Sequence, residues 1–523
     1  MCTEWHIRYA TVQLAIDRAK PVPLARQIQA QIERLVHEGL LVPGMKLPAT
    51  RELARDLGVN RATVTIAYEE LVASGWASAH VGQGTFVAAP PGRAAAANGG
   101  ASPPARTPDI DWSGLLSRSA QIIAAETDRR RVSAVPSRSS PGLISFAGGM
   151  PDSALFPTDA FRRVLNRVIR DEGQELLQYY PVGGYLPLRR FVSTYLLRHG
   201  LEAHADRILV VNGSQQGFDL IARTLLDPGD SVAVEQPSYP RAIQVFRSFG
   251  AQLLPVPLGD DGPRLDLLER VLERHTPKFF YCQPSAHNPT GRTMSLDARR
   301  RLLAVAARFQ VPIVEDGWDG SLYYGSRPPA PLKALDTSGL VVYIGTFSKI
   351  LFPGLRLGWL VAPAPLLESL ASAKQLADIH TSALIQAAVY HFSEGRLLER
   401  HLVRVVREYA RRRTVLLDAL RARMPRGVSW TEPDGGFSLL LTLPEGSDAV
   451  ELLARAIERG VSFTPGGSFF IDGAGARTAR LSFSSVPAGR IDDGVRRLAD
   501  VIRDAQRRPR RAIERERAAV PLV

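Results

Sequence analysis

Residues 341–349 read Val-Val-Tyr-Ile-Gly-Thr-Phe-Ser-Lys, and after an apolar stretch residues 353–358 read Pro-Gly-Leu-Arg-Leu-Gly. The first of these opens as a β-rich run, Val341–Ile344, and closes on a glycine, two hydroxyl residues and a lysine. Runs of the same kind, bounded by turn residues, occur at Arg207–Val211, Ser231–Val234, Lys278–Tyr281 and Val311–Val314, with amphipathic stretches such as Leu296–Arg308 between them. Short strands that alternate with helices need crossover connections. The expected fold class is therefore α/β, with a mostly parallel sheet covered by helices on both faces and a small C-terminal α+β subdomain.

Outward from that core, the alternating zone runs from residue 142 to 506 and ends in a basic tail at 507–523. Upstream, residues 89–141 include Ala-Ala-Pro-Pro-Gly at 88–92, Ala-Ala-Ala-Ala-Asn-Gly-Gly at 94–100 and Ser-Pro-Pro at 102–104, too poor in large apolar residues to fold alone, so a flexible linker is expected. Apolar periodicity returns from Ile110 to Ala125, which reads as a helix on the second domain. Residues 15–88 form a separate compact segment. With 523 residues, 45% of them hydrophobic and 22% charged, the chain is globular and has more than one domain. Met1–Lys20 scatters Glu4, His6, Arg8, Asp17 and Arg18 among its apolar residues, which excludes a signal-peptide core, and no apolar run approaches the roughly 20 residues of a membrane span. Cys2 and Cys282 stand apart, without a metal-ligand or Cys-x-x-Cys neighbourhood, so a reduced cytoplasmic protein without disulfides or a metal is expected. The net charge of +13 invites a nucleic-acid reading, yet residues 1–90 hold nine Lys/Arg against eight Asp/Glu, leaving +12 for the rest, largely in Arg-rich helical stretches. Charge alone assigns nothing.

A lysine after a strand is by itself usually a solvated charge, so its companions decide. Lys349 is flanked by Thr346 and Ser348 and followed seven residues on by Arg356, a set that suits covalent attachment of pyridoxal 5′-phosphate with hydroxyls and a guanidinium at the phosphate. Val314-Glu315-Asp316 ends another strand, where Asp316 can hold the proton of a pyridinium nitrogen. Asn288, on the turn of Ser285-Ala286-His287-Asn288-Pro289-Thr290-Gly291, can donate to the ring oxygen, and Tyr239 in Pro237-Ser238-Tyr239-Pro240 can stack on the ring. Gly213-Ser214-Gln215, between a strand and a helix expected to begin near Gln216, offers backbone amides to the phosphate. Arg480 is a candidate bidentate clamp for a substrate carboxylate.

In the first segment, Leu24, Ile28, Ile32 and Leu35 recur at helical spacing, and Pro43-Gly44 ends that helix. Thr50 is the expected cap of a second helix with an inward stripe of Leu53, Ala54 and Leu57; Gly58-Val59 forms a turn, and Asn60 caps a third helix carrying Val64, Ala67, Tyr68 and Leu71 on one side. Two short helices joined by such a turn form a helix-turn-helix, whose second helix enters the major groove. Arg61 is placed for a phosphate or a guanine edge, and Thr63 and Thr65 for backbone or a thymine methyl. Ala77–Val87 reads as a hairpin wing with its tip at residues 81–84.

Leu47-Pro48-Ala49-Thr50-Arg51-Glu52-Leu53-Ala54, Val59-Asn60-Arg61-Ala62-Thr63-Val64, Ala67-Tyr68 and Gly82-Gln83-Gly84-Thr85-Phe86-Val87 resemble the GntR-type winged helix-turn-helix. That resemblance implies DNA contacts from Arg51, Arg61, Thr63 and the wing tip at Gly82; Asn60 and Thr65 complete the candidate set. Tyr239, Asn288, Asp316, Lys349, Arg356 and Arg480 stand in the order and approximate spacing of fold-type I aminotransferases, and residues 145–157 with Gln178-Tyr179-Tyr180-Pro181 resemble the branch containing kynurenine and aminoadipate aminotransferases. This resemblance implies a homodimer in which Tyr179 reaches the neighbouring subunit's phosphate, and it places Gly149 with Arg480 on the substrate side. One departure stands out. The relatives carry a tyrosine two or three residues after the aspartate, whereas Gly317, Trp318 and Asp319 follow Asp316 here, and an indole only donates.

A winged helix, a linker and an aminotransferase-like domain in this order resemble the MocR subfamily of GntR-type transcription regulators. The resemblance implies a cofactor-loaded, head-to-tail homodimer on double-stranded DNA, with an amine, an amino acid or pyridoxal phosphate itself as effector. The alternative is an active aminotransferase that carries a DNA-binding domain; regulation is the expected main role, and transaminase activity is left open.

Overall fold

The computed structural model of the chain describes residues 2–7, 10–17, 22–37, 41, 44–80, 84–88, 112–131, 142–317, 320–325 and 327–507. They divide between two units, Met1–Ile110 and Asp111–Val523.

In the first unit the helices Leu24–His37, Thr50–Asp56 and Arg61–Ala73 precede a hairpin of Ala77–His80 and Gly84–Val87. Ile28, Ile32 and Leu35 from the first helix, Leu53 and Ala54 from the second, and Val64, Ala67, Tyr68 and Leu71 from the third share one buried core with Leu47 and Val87. Spacings of three and four residues put each set on one side of its helix. The hairpin pairs Ala77 with Val87 and His80 with Gly84. Asn60 does cap the third helix, its Oδ1 accepting from the Ala62 amide at 2.9 Å. Thr50 does not cap the second: it is that helix's first residue, and Ala49 takes the cap position. A methyl accepts nothing, so the one side-chain bond at this end runs the other way, from the Ala49 amide to the Glu52 carboxylate at 3.3 Å.

The second unit is built on an eight-stranded sheet in the order Ile208–Val211, Gly358–Val361, Val341–Thr346, Ile313–Asp316, Phe280–Cys282, Ser231–Gln236, Gln252–Gly259, Gly262–Pro263. All run parallel except Gly358–Val361, antiparallel to both neighbours, and the short last strand. Alternate residues serve opposite faces. Val232, Val234, Val342 and Ile344 pack with Phe218, Ile221, Ile243, Phe246 and Leu370 from helices on one face. Ala233, Phe280, Ile313 and Val341 pack with Leu268, Leu302 and Val305 on the other. Burial on both faces is why these strands read as continuous apolar runs.

The helix Leu397–Arg423 leads into a four-stranded antiparallel sheet of Ser429–Trp430, Ser438–Thr442, Thr478–Ser482 and Thr464–Pro465. Ile144–Ser145 pairs in parallel with Val461–Ser462, so the chain just before Gly149 belongs to this smaller part. Within the stretch expected as linker, Arg118–Arg131 is a helix that contacts helix Pro240–Ser248 inside the second unit. None of the described helices is long and apolar enough to cross a membrane.

Candidate cofactor and ligand site

The C-terminal ends of the parallel strands open into a cavity of about 530 Å³ lined by Ser214, Gln215, Tyr239, Asn288, Asp316, Thr346, Ser348, Lys349 and Arg356, together with Met150, Arg241 and Gln283. Strand ends in an open α/β sheet splay at such a point, and the loops that follow them supply the side chains.

Asp316 ends its strand almost fully buried, and its Oδ2 accepts from the Tyr281 hydroxyl at 2.8 Å. Its other oxygen, Oδ1, has no hydrogen-bond partner among the described residues. Burial pushes the carboxyl up to about 7, while the Tyr281 bond pulls it down. A buried carboxylate oxygen left unpaired costs free energy until a donor arrives, and a pyridinium N–H is such a donor. Asn288 follows the strand Phe280–Cys282 and lies before a cis peptide to Pro289. Its Oδ1 accepts from Arg480 Nη1 at 3.1 Å, which leaves the Nδ2 end as the donor for a ring oxygen.

Opposite, helix Ser214–Leu225 begins at Ser214, two residues before the expected Gln216, with Gly213 at its cap in the left-handed region at φ 78°. Glycine is required there twice over, because a Cβ would also lie 2.6 Å from Arg356 Nη2. Arg356 donates to the Asn212 carbonyl at 3.1 Å, and the Thr346 hydroxyl bonds the Ser348 hydroxyl at 3.0 Å and accepts the Ser348 amide at 3.1 Å. Hydroxyls, a guanidinium and a helix N-terminus thus meet on one wall, the donor set a phosphate takes. A buried network secures that wall from behind: Lys374, itself fully buried, holds Asp378 at 2.7 Å, and Asp378 accepts from Gln216 at 2.8 Å and from Asn212. The orphaned Oδ1, a tyrosine in the lining and this anion cup fit pyridoxal 5′-phosphate.

Arg480 comes from a central strand of the smaller sheet, is 9% exposed, and stacks on the Phe469 ring with 4.9 Å between guanidinium carbon and centroid. It bonds Asn288 and Thr464, its Nε is unsatisfied, and among the described residues it has no acidic partner. Burial lowers its pKa to about 10. Gly149 faces it: a Cβ there, at φ 135°, would sit 3.2 Å from Arg480 Nη1. The Gly149 carbonyl accepts from Lys349 Nζ at 3.0 Å, so the lysine and the clamp meet at one backbone segment.

The other candidates sort differently. Tyr179 is 81% exposed, its ring 6.2 Å from that of His380, and it does not line this chain's cavity. On the recognition helix Arg61 is exposed and Thr63 half-buried, and Arg51 is exposed on the preceding helix; the Thr65 hydroxyl donates to the Arg61 carbonyl at 3.1 Å and so is engaged within its own helix. Gly82, Trp318 and Asp319 lie outside the described residues. Missed by the sequence reading are Tyr281, which aligns the aspartate, and Gln283 and Arg241, which line the cavity. Tyr281 carried a faint signal in its polar hydroxyl within a run buried on both faces.

Residues 146–498 match the family Aminotransferase class I and II, and residues 24–87 match Bacterial regulatory proteins, gntR family. The chain belongs to the class I and II aminotransferase family and carries a GntR-family helix-turn-helix domain ahead of it. It is 40% identical to the 2-aminoadipate transaminase of Thermus thermophilus over 75% of its own length and 98% of that protein. It is 32% identical to the probable rhizopine catabolism regulatory protein MocR of Rhizobium meliloti over 93% of its own length and 95% of that protein. The crystal structure of LysN, the alpha-aminoadipate aminotransferase of Thermus thermophilus complexed with N-(5′-phosphopyridoxyl)-L-leucine, matches with a TM-score of 0.69 at 39% identity, over 76% of this chain and 99% of that chain. The transaminase leaves a quarter of the chain unmatched; the regulator leaves almost none. The chain is a regulator of the MocR type, a DNA-binding helix-turn-helix joined to a domain for pyridoxal phosphate.

Proposed function

We propose that an amino acid bound in the cavity sets the affinity of the helix-turn-helix for its operator. The observation that carries this reading is Arg480: a buried guanidinium without an acidic partner among the described residues, one backbone segment away from Lys349. Pyridoxal phosphate, when bound, supplies an electrophilic carbon and an electron-withdrawing ring. The chain's residues do the rest. Ser214, Gln215, Thr346, Ser348 and Arg356 bind the phosphate; Tyr239 stacks on the ring; Asp316 holds a proton at the ring nitrogen; Asn288 donates to the ring oxygen. Arg480 takes the ligand's carboxylate through parallel charge-assisted bonds, which offset the cost of its burial. Lys349 would hold the cofactor's electrophilic carbon; in the cofactor-free chain its Nζ donates to the Gly149 carbonyl at 3.0 Å. A ligand that draws the small-sheet Arg480 onto the cavity prefers one arrangement of the second unit, and any such preference shifts a coupled equilibrium.

We further propose a homodimer in which Tyr179 serves the partner's phosphate. Tyr179 at 81%, Leu177 at 70% and Leu376 at 90% exposed are large side chains that a lone chain leaves in water. Arg51, Arg61 and Thr63 would contact DNA, with Arg61 at the helix's first turn. The second reading, a working aminotransferase, is favoured by Lys349, whose Nζ donates to the carbonyl of Gly149, the residue facing Arg480, and which could move a proton at a bound ligand's α-carbon. Equilibrium DNA binding with and without amino acids, beside turnover with a 2-oxo acid, separates the two: effector-dependent affinity without turnover supports regulation, and steady turnover with unchanged affinity supports the enzyme.

A further inference from the structure

Arg241 is the cation in the cavity that the cofactor and the carboxylate clamp leave unassigned. The lining holds three cations, Arg241, Lys349 and Arg356, against one acid, Asp316. A bound phosphate of roughly −1.5 to −2 charges matches Arg356 and the helix beginning at Ser214. A ligand's α-carboxylate matches Arg480, and Lys349 would be occupied in holding the cofactor. Arg241 remains, exposed to the cavity and without an acidic partner among the described residues.

Its placement says which part of a ligand it meets. Arg241 is the second residue of helix Pro240–Ser248, whose cap is Tyr239, the residue that stacks on the ring. Ala242, Ile243 and Phe246 pin that helix into the core, so the origin of the side chain is fixed. Burial raises the Tyr239 phenol and the charge of Arg241, two residues on, lowers it, so the two side chains share one end of the helix. The helix N-terminus adds its own positive potential. Met150, an adaptable thioether, lines the same cavity, suited to an unbranched chain.

We propose that Arg241 determines ligand specificity by binding a second acidic group, so that the cavity selects amino acids whose side chain ends in an anion. This rests on the amino-acid reading above and deepens it. A guanidinium that bonds a terminal carboxylate gains a charge-assisted contact that an amide or methyl terminus does not return.

The test uses the full-length, cofactor-loaded protein, with ligand affinity read by titration of the visible spectrum and by calorimetry. L-glutamate is compared with L-glutamine, and L-2-aminoadipate with L-norleucine. The expected result is a preference of about 10- to 100-fold for the acid of at least one pair. In Arg241→Gln that preference collapses, while affinity for the neutral member stays within about threefold and the cofactor content per chain is unchanged; Arg241→Lys restores part of it. An acid preference that survives Arg241→Gln overturns the proposal. So does loss of cofactor from that variant, which would give Arg241 to the phosphate. If no amino acid, acidic or neutral, perturbs the wild-type spectrum, the amino-acid reading itself falls and takes this one with it.

Discussion

Arg480 and Arg61 are both guanidiniums proposed to meet an anion, and their surroundings could hardly differ more. Arg480 is 9% exposed, stacked on Phe469 and tied to Asn288 and Thr464. Arg61 stands exposed at the first turn of a helix whose inner residues, Val64, Ala67 and Leu71, are fully buried. A buried charge is costly until matched, so the ligand that completes it is chosen sharply. An exposed charge contributes little by itself, and a surface of such charges acts by number and weakens as salt rises. The cavity is therefore built to discriminate and the helix to be positioned. Coupling the two, as proposed above, would make a sensor.

The largest effect expected tests the cavity's covalent anchor. Borohydride-treated wild-type protein should carry the cofactor's mass on Lys349, and Lys349→Ala should carry none. Lys333 and Lys374 are excluded as anchors because Asp336 and Asp378 engage their ammonium groups; cofactor fixed on either would break the comparison at its root. Next in size is Arg480→Ala, for which amino-acid affinity measured by spectral titration should fall by about 3 kcal/mol or more, with cofactor retained. Equal affinity in variant and wild type would make this arginine structural.

A pH effect of intermediate size comes from Asp316. Its carboxyl ordinarily titrates at 3.8 and is raised to about 7 by burial, so the cofactor-free folded state keeps a proton that the unfolded chain releases. The stability this group confers is fully present below about pH 4 and is lost as pH rises through 7, at a slope near 1.4 kcal/mol per pH unit between those values. Denaturant unfolding of the cofactor-free protein should show that slope, and Asp316→Asn should lack it. A slope unchanged in Asp316→Asn would assign it to other groups. The smallest effect falls on the exposed side of the comparison. Arg61→Ala should weaken operator binding by about 1–3 kcal/mol if it reads a base, or reduce the salt slope by about one if it meets a phosphate. No change at any salt concentration would remove Arg61 from the interface.

The parts of the site that were legible before the structure are those whose chemistry demands a residue type at a strand end. Lys349, Asp316 and Asn288 all follow apolar runs, and the run itself locates them. What escaped depends on pairing across strands. Tyr281 stands opposite Val314 in the parallel register, so its bond to Asp316 exists only once the two strands are laid side by side. Gln283 and Arg241 looked like ordinary polar residues near element ends. Local boundaries moved by a residue or two for local reasons: a glycine at φ 78° caps the phosphate helix early, and the second helix already includes Thr50, with Glu52 accepting the amide of Ala49 at its cap. In the winged helix the core was legible from its helical spacing, while the bond from the Thr65 hydroxyl back to the Arg61 carbonyl was not.

The central claim is that occupancy of the cavity is felt at the DNA. The most direct test is the affinity of the cofactor-loaded, full-length protein for an operator obtained by selection from random DNA, read by fluorescence anisotropy at fixed salt with and without a saturating amino acid. The account predicts a change of about 5- to 150-fold in the wild type, the range of a coupling free energy of 1–3 kcal/mol, and no change in Arg480→Ala. An operator affinity that stays the same while spectra show the amino acid bound in the cavity would contradict it.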